Sequence, residues 1–207
     1  MVIKKISPEH IEQEIEKIEA LKIDNCNWSD QFPYSPKVEC RLAHTGDYLI
    51  VKFDVEEQYT MAHVEQDNGE VWTDSCVETF IALDDKGYYN FETTCIGRLL
   101  LAHRKEREVE VVHATQDVLN TILRYPSLPQ ETFDEREGDN RWSLMLKIPA
   151  TALFHHNIQS WDGVKARMNL FKCGDKLSHP HFLSWNPIQT PKPDFHRPEF
   201  FRDVEFE

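Results

Sequence analysis

The sequence predicts an all-β fold, an antiparallel two-sheet β-sandwich with one N-terminal amphipathic helix. Many short runs of β-branched and aromatic residues are separated by turn residues at regular intervals. Strands do not alternate with helical segments, as they would in a parallel sheet with helical crossovers, and only one segment near the N-terminus has helical periodicity. At 207 residues the chain has the length of one such domain with a short extension.

The N-terminal helix is predicted from a start signal and an apolar stripe. Ser7 can cap a helix, and Pro8 has the backbone angle of a first helical residue. Apolar residues then recur at helical spacing: Ile11, Ile15, Ile18 and Leu21. We therefore predict a helical extension over residues 1–22, packed on a sandwich domain over residues 23–207.

Two hairpins are predicted in the first half of the domain. Residues 38–44 and 48–56 alternate around a turn at 45–47, and residues 75–83 and 88–96 flank a turn at 84–87. Both faces of the strand after residue 76 are apolar, so we expect it to be central and covered on both sides. The register of this second hairpin stays open, because a slip of one residue would move Glu78 or Glu92 across the sheet.

The remaining segments complete the predicted sandwich. A third strand is expected at 99–102, and further strands at 142–148, 165–173, 182–185 and 204–206. Residues 57–71 and 114–139 are predicted to be loops or irregular connections. The proline-rich stretch 187–198 cannot form a central strand.

Composition limits the classes of partner and compartment. A net charge of −13 argues against nucleic acid and anionic membranes, which attract clustered Lys and Arg, and favours a neutral ligand. No export signal or apolar run of membrane-spanning length is visible, and the five cysteines are odd in number without CxxC spacing. We expect buried thiols in a cytoplasmic protein, or a secreted or periplasmic one if a leader has been removed. The oligomeric state stays open.

Several motifs occur in the order seen in a known family. They are RLAHTGD at 41–47, WTDSCVE at 72–78, YNFE at 89–92, CIG at 95–97, FLSWNP at 182–187 and FHRP at 195–198. Together with the C-terminal residues they span about residues 25 to 207. This pattern resembles carbohydrate-binding module family 9, particularly its stand-alone members.

The resemblance implies a β-sandwich that binds a mono-, oligo- or polysaccharide without cleaving it, in association with carbohydrate catabolism. In that family, two tryptophans matching Trp72 and Trp185 enclose the terminal sugar, and a glutamate matching Glu78 bonds its hydroxyls. Pyranose rings suit such a site because their C–H faces pack on indole rings while their hydroxyls bond polar groups. The ligand-binding residues predicted here are Trp72, Glu78, Glu92, Arg104, Asn169 and Trp185. Glu92 stands where family members place a basic residue, so it is expected to accept hydrogen bonds where they donate.

Enzymatic and scaffold roles remain open at this point. Glycosidases use two carboxyl groups flanking one bond, and Glu78 with Glu92, or Asp74, would supply them if they lie close together. We assign no catalytic residue, because no acid and nucleophile pair is fixed by the sequence. A domain that serves only as an interaction scaffold is the remaining rival.

Metal and haem sites were also considered from the residue types present. Haem would need axial ligands, for which Met61, His63 and Met168 are available, and the histidines at 155, 156, 179, 181 and 196 match no closed metal site. Structural calcium, which family members carry, would need oxygen ligands such as those of Asp54, Glu56, Glu57 and Asp74. No cofactor is expected, and calcium is left unassigned.

Overall fold

The computed structural model describes all 207 residues and contains thirteen strands with few helices. The strands are β1 (Val2–Lys5), β2 (Leu21–Lys22), β3 (Lys37–His44), β4 (Tyr48–Ala62), β5 (Cys76–Ala82), β6 (Tyr88–Thr94), β7 (Leu99–Arg104), β8 (Val112–His113), β9 (Leu123–Pro126), β10 (Phe133–Pro149), β11 (Lys165–Cys173), β12 (Phe182–Ser184) and β13 (Arg202–Phe206). The α-helices are α1 (Ile11–Ile15) and α2 (Gln116–Thr121), and single 3-10 turns lie at Val71–Thr73, Ala150–Ala152 and Pro198–Phe200. None of these helices has the length and apolar character to cross a membrane.

The strands form one curled, mixed sheet. Its order is β8-β7-β6-β5-β11-β13-β1-β3-β4-β10-β9, with β12 beside β11 and β2 beside β3. Strand β1 runs parallel to both β13 and β3, whereas every other pairing is antiparallel. The predicted all-β class is confirmed, but the sheet is mixed and continuous through β1 instead of forming two separate antiparallel sheets.

The first 22 residues belong to the sheet more than to a helix. Residues 2–5 and 21–22 form strands, which leaves only the connection between them for helix α1. The helix starts after His10, and Ser7 does not cap it; the Ser7 hydroxyl accepts a hydrogen bond from the Glu9 backbone N–H at 3.2 Å. Within the helix, the predicted apolar stripe is buried, since Ile11 and Ile15 are both buried.

The segment 114–139, predicted to be irregular, contains helix α2, strand β9 and the first part of β10. Thr115 caps α2 by accepting a hydrogen bond from the Val118 N–H. The start of β10 pairs with the end of β4 through two register shifts, and most of its side chains face solvent. A solvated, bulged strand lacks the regular apolar alternation on which a sequence-based prediction depends.

The central hairpin β5–β6 is buried on both faces, as predicted. One face, with Val77 and Phe91, meets residues of β3, β4 and β10 in the principal core, so the two halves of the curled sheet enclose a common interior. The opposite face, with Phe80 and Tyr88, packs against Phe171 of β11 and the C-terminal segment in a second cluster. We call these the inner and outer faces of the hairpin.

A buried ion pair lies on the inner side of the sheet. The Lys172 ammonium is 2.8 Å from Oε2 of Glu57, and both side chains are fully buried. Lys172 Nζ also donates to the Cys173 carbonyl at 2.9 Å and lies 2.7 Å from Nε2 of His181. Burial and the Lys172 charge lower the pKa of His181 well below its ordinary value, so its neutral ring accepts this hydrogen bond. The Trp142 indole N–H donates to Glu57 Oε1 at 2.7 Å.

Candidate functional site

A cavity of about 480 Å³ opens on the outer face of strands β5, β6, β7 and β11. Side chains alternate along a strand, and each of these strands contributes one or two residues of its outer face to the lining of this cavity. Glu78 comes from β5, Glu92 from β6, Arg104 from β7 and Cys173 from β11. The site therefore rests on paired strands of the buried hairpin, which hold its polar groups in fixed positions.

Glu78 and Glu92 form the floor of this cavity. They are direct partners in the β5–β6 register, which resolves the question the sequence left open. Glu78 is 3% exposed and Glu92 is 4% exposed, and neither forms an ion pair. Oε1 of Glu78 accepts a hydrogen bond from the Cys173 thiol at 3.1 Å, and Oε1 of Glu92 accepts one from the Asn90 amide at 2.9 Å. The Oε2 atoms of this carboxylate pair bond no protein group, so a ligand in the cavity can reach them.

Burial dominates the electrostatics of the carboxylate pair. Burial, reinforced by the charge of Glu92, raises the pKa of Glu78 well above its ordinary value. Burial also raises the pKa of Glu92 to about 7, although the Asn90 hydrogen bond and the Arg104 charge act in the opposite direction. Near neutral pH the pair is therefore partly protonated and offers both a donor and acceptors.

Arg104 is oriented by a short chain of hydrogen bonds. Its Nε donates to Oδ1 of Asn90 at 2.9 Å, and the same amide donates to Glu92. Its Nη1 donates to the Arg107 carbonyl at 2.5 Å, whereas Nη2 bonds no protein group. The cavity therefore contains one buried, fixed guanidinium with a free donor beside two carboxyl groups.

Aromatic groups form the walls of the cavity. Trp72 lies in the 3-10 turn before β5 and is half-buried, and its carbonyl accepts a hydrogen bond from the Asp175 N–H at 3.1 Å. Phe182 and Phe195 also line the cavity, and the Phe195 ring stacks on Phe171 with centroids 4.3 Å apart. The half-buried indole thus presents aromatic surface beside the polar floor.

Phe182, Phe195 and His196 are among the lining residues that were not predicted from the sequence. His196 Nδ1 lies 2.9 Å from the Tyr88 hydroxyl, and burial with the nearby arginines lowers its pKa to about 3, so the ring is neutral. Phe182 opens FLSWNP, and the other two belong to FHRP in the proline-rich stretch. The signal available in the sequence was the presence of two aromatic side chains, Phe195 and His196, in the stretch 187–198, which cannot form a central strand.

Two of the predicted binding residues, Trp185 and Asn169, do not line the cavity. Ser184 is the register partner of Phe171 on the outer face, so the next residue, Trp185, turns to the inner face and packs against the principal core. The Arg202 guanidinium lies 5.3 Å from the centre of its ring. Asn169 is buried, and both ends of its amide bond backbone groups of Asn186 and Leu170. The two tryptophans therefore do not enclose one cavity.

Other residues considered from the sequence have separate places. Lys172 points to the inner face and pairs with Glu57. His63 is exposed and lies 3.0 Å from Asp134, whereas Met168 is in the principal core. Histidines 155, 156, 179 and 181 also lie outside the cavity lining. The four candidate calcium ligands have different partners. Asp54 pairs with Arg41 and Lys52, Glu56 pairs with Lys37 and Arg141, and Glu57 pairs with Lys172. Asp74 accepts hydrogen bonds from the N–H groups of His63 and Val64.

One group of potential metal ligands borders the cavity. Cys76, Glu78 and Cys173 place one ligand atom each within 4.8 Å of one another. Thiolates bind metals, but burial raises the pKa of Cys76 to about 12 and that of Cys173 well above its ordinary value. The thiols are protonated at neutral pH, and Cys173 serves as a hydrogen-bond donor to Glu78.

The raised pKa of Glu92 has a consequence for stability that Glu92→Gln tests. A carboxyl group with a pKa near 4.5 when unfolded and about 7 when folded binds its proton more tightly in the folded state. Its contribution to stability is therefore complete below pH ~4.5 and is lost as the pH rises through about 7. We expect the free energy of unfolding of the wild type, relative to Glu92→Gln, to fall across this window in chemical denaturation at several pH values. A difference that stays constant or rises with pH would contradict the burial argument.

The cavity lies on one face of the sheet and is lined by an indole ring, two carboxyl groups and a guanidinium group. These features define a ligand-binding domain suited to polar, ring-shaped molecules such as sugars. The chain matches the family model described as Carbohydrate-binding family 9 over residues 7–206, and it belongs to that family. No curated protein matches the sequence.

Solved structures with the same fold agree with this family. A protein of Bacteroides uniformis ATCC 8492 that is proposed to bind carbohydrate is 40% identical, with a TM-score of 0.93 over 100% of this chain and 98% of that one. A family 9 module of Caldicellulosiruptor kristjanssonii in complex with cellotriose is 10% identical, with a TM-score of 0.62 over 100% of this chain and 93% of that one. The module in complex with glucose has the same identity and TM-score and is covered to 95%. At 10% identity, these complexes show likeness of fold alone.

Proposed function

We propose that the protein binds a sugar in the outer-face cavity and does not cleave it. The observation that carries this proposal is the carboxylate pair, whose free oxygens face the cavity beside the half-buried Trp72. In this proposal the indole packs against a C–H face of the ring, while Glu78, Glu92 and Arg104 bond its hydroxyls. Family membership supports the proposal, and the glucose and cellotriose in the Caldicellulosiruptor structures suggest the first ligands to test.

The arrangement of donors and acceptors suits sugar hydroxyls. A hydroxyl both donates and accepts hydrogen bonds, and the partly protonated carboxylate pair with Arg104 Nη2 offers both kinds of partner. A buried polar group without a partner costs about 1–3 kcal/mol, so a ligand that satisfies the free oxygens gains affinity from them. The same groups favour ligands that present several hydroxyls at the edge of a flat ring.

The placement of the two carboxyl groups argues against hydrolysis. Glycosidases place their carboxyl groups on either side of the bond that breaks. Glu78 and Glu92 are neighbours on adjacent strands of one sheet, so both lie on the same floor of the cavity. They can hold one side of a sugar together, but they do not face each other across it.

Glycan-array binding followed by calorimetry tests the proposal with the wild type, Glu78→Ala and the exposed-loop control Glu131→Gln. We expect the wild type and control to bind the same glycans and Glu78→Ala to bind them roughly 5- to 150-fold more weakly, a loss of about 1–3 kcal/mol. No new reducing ends should appear on prolonged incubation. The proposal is wrong if no glycan binds, if Glu78→Ala binds as well as the control, or if the wild type releases reducing sugar and Glu78→Gln does not.

A further inference from the structure

The cavity has a marked imbalance of charge. Its lining contains six carboxyl groups and two guanidinium groups, which are Glu70, Glu78, Glu92, Glu108, Asp175, Asp194, Arg104 and Arg107. At the exposed rim the charges partly offset each other, since Arg107 lies 3.5 Å from Asp194 and 3.8 Å from Glu108. Glu70 likewise lies 3.3 Å from Lys176. The floor has no such compensation.

The floor consists of two carboxyl groups that lie side by side and form no ion pair with the nearby Arg104. Glu78 and Glu92 are more than nine-tenths buried, are direct cross-strand partners, and form no ion pair. Like charges opposite each other on a sheet destabilise it, and burial increases that cost. Arg104 is near, but its guanidinium is directed to the Asn90 amide and the Arg107 carbonyl. Each glutamate keeps one oxygen that bonds nothing in the protein.

We propose that the preferred ligand is a sugar with a free amino group, held as an ammonium between Glu78 and Glu92. This inference rests on the proposed function and adds the chemical class of the sugar. An ammonium group has three donors and no acceptor, which complements the carboxylate pair in its ionised form, where every oxygen only accepts. Its hydrogen bonds to them are charge-assisted and about twice as strong as neutral ones. A neutral hydroxyl at the same place leaves the charge of the pair uncompensated.

The remaining ionisable groups around the pair come from every neighbouring element. They are Cys76 on β5, Tyr88 on β6, Arg104 on β7, Arg107 in the loop after it, Cys173 and Asp175 at the end of β11, and Asp194 and His196 in the C-terminal segment. The pKa values of the thiols and of Tyr88 are raised and that of His196 is lowered, so these four groups are neutral near pH 7. The charged neighbours are therefore two arginines and two exposed or half-buried aspartates, and neither arginine forms an ion pair with Glu78 or Glu92.

The pH dependence of the affinity separates an amino sugar from a neutral one. An ammonium favours the ionised pair, so its binding should strengthen as the pH rises through about 7, the pKa of Glu92. Binding should weaken again when the ligand amine loses its proton, at pH ~8 by analogy with an α-amino group. A neutral sugar that uses the protonated pair should only weaken as the pH rises.

Calorimetry at constant ionic strength with D-glucosamine, D-glucose and N-acetyl-D-glucosamine tests this inference. The three share one ring, and acetylation removes the charge at the same position. At pH 7 we expect D-glucosamine to bind at least 10-fold more tightly than D-glucose or N-acetyl-D-glucosamine. Glu92→Gln should reduce that ratio to below about 3-fold, whereas Glu131→Gln, which removes one exposed carboxylate outside the cavity, should keep it.

The outcomes of this experiment distinguish the inference from the proposed function. Equal or weaker binding of D-glucosamine, or a preference that survives in Glu92→Gln, overturns the amino-sugar inference and leaves sugar binding in place. Absence of binding to all three sugars and to every glycan on the array overturns both. A preference for D-glucosamine that depends on Glu92 and peaks between pH 7 and 8 supports it.

Discussion

Replacing Lys172 with methionine is expected to lower the free energy of unfolding by about 3–5 kcal/mol, because Glu57 would remain buried without its cation. The two charges are 2.8 Å apart and fully buried, and His181, neutral in this environment, cannot replace the ammonium. Chemical denaturation of the wild type and Lys172→Met measures the effect.

The double variant Lys172→Met with Glu57→Gln is the matched control for that prediction. The Gln carbonyl oxygen can still accept the hydrogen bond from the Trp142 indole, and no buried charge remains. We expect the double variant to recover most of the lost stability. If Lys172→Met unfolds within 1 kcal/mol of the wild type, or if adding Glu57→Gln destabilises it further, the ion pair does not stabilise the fold in this way.

Replacing Trp72 with alanine is expected to weaken sugar binding by about 1–3 kcal/mol, or roughly 5- to 150-fold, with a smaller effect on stability. The indole is half-buried and lines the cavity, so its exposed face is available to a ligand while the rest packs against the second core cluster. Calorimetric titration with the best-binding glycan and thermal unfolding of the same samples provide the two measurements.

Trp185→Ala is the control for Trp72→Ala, since it removes the same side chain from the inner face. It should reduce thermal stability, because the ring packs on the principal core, and leave the sugar affinity unchanged. Unchanged sugar affinity in Trp72→Ala would show that the indole does not contribute to binding. Loss of affinity in a folded Trp185→Ala protein would show that this tryptophan contributes to binding despite its position.

The strands were predictable wherever apolar alternation is regular. The hairpin β3–β4 and the strand β11 follow from that alternation, whereas the burial of β5 on both faces follows from the apolar residues on both of its faces. The first strand was missed because Val2–Lys5 is short and carries two lysines, and its stability depends on strands distant in sequence. The N-terminal segment was therefore interpreted from its local helix signals alone.

The cavity floor was only partly predictable. Glu78, Glu92 and Arg104 were nominated, and the structure places all three in one cavity, but their shared face depends on a register that no local signal fixes. The position of Lys172 follows from alternation, because it shares a face with Met168 and Leu170 and opposes Asn169 and Phe171. The orientation of Trp185 depends on how the short strand β12 pairs with β11, which is a tertiary contact.

The position of β1 between β13 and β3 determines when the protein can complete its fold during synthesis. The amino group of Met1 bonds the carbonyl of Asp203, 202 positions later. Strand β1 is synthesised well before β13, so it must wait for that strand before the two halves of the sheet are joined. Until then, each half exposes an unpaired edge and apolar surface, which are the features that promote aggregation of nascent chains. Contacts of such long sequence separation also slow folding, because the entropy of closing the chain is lost before they form.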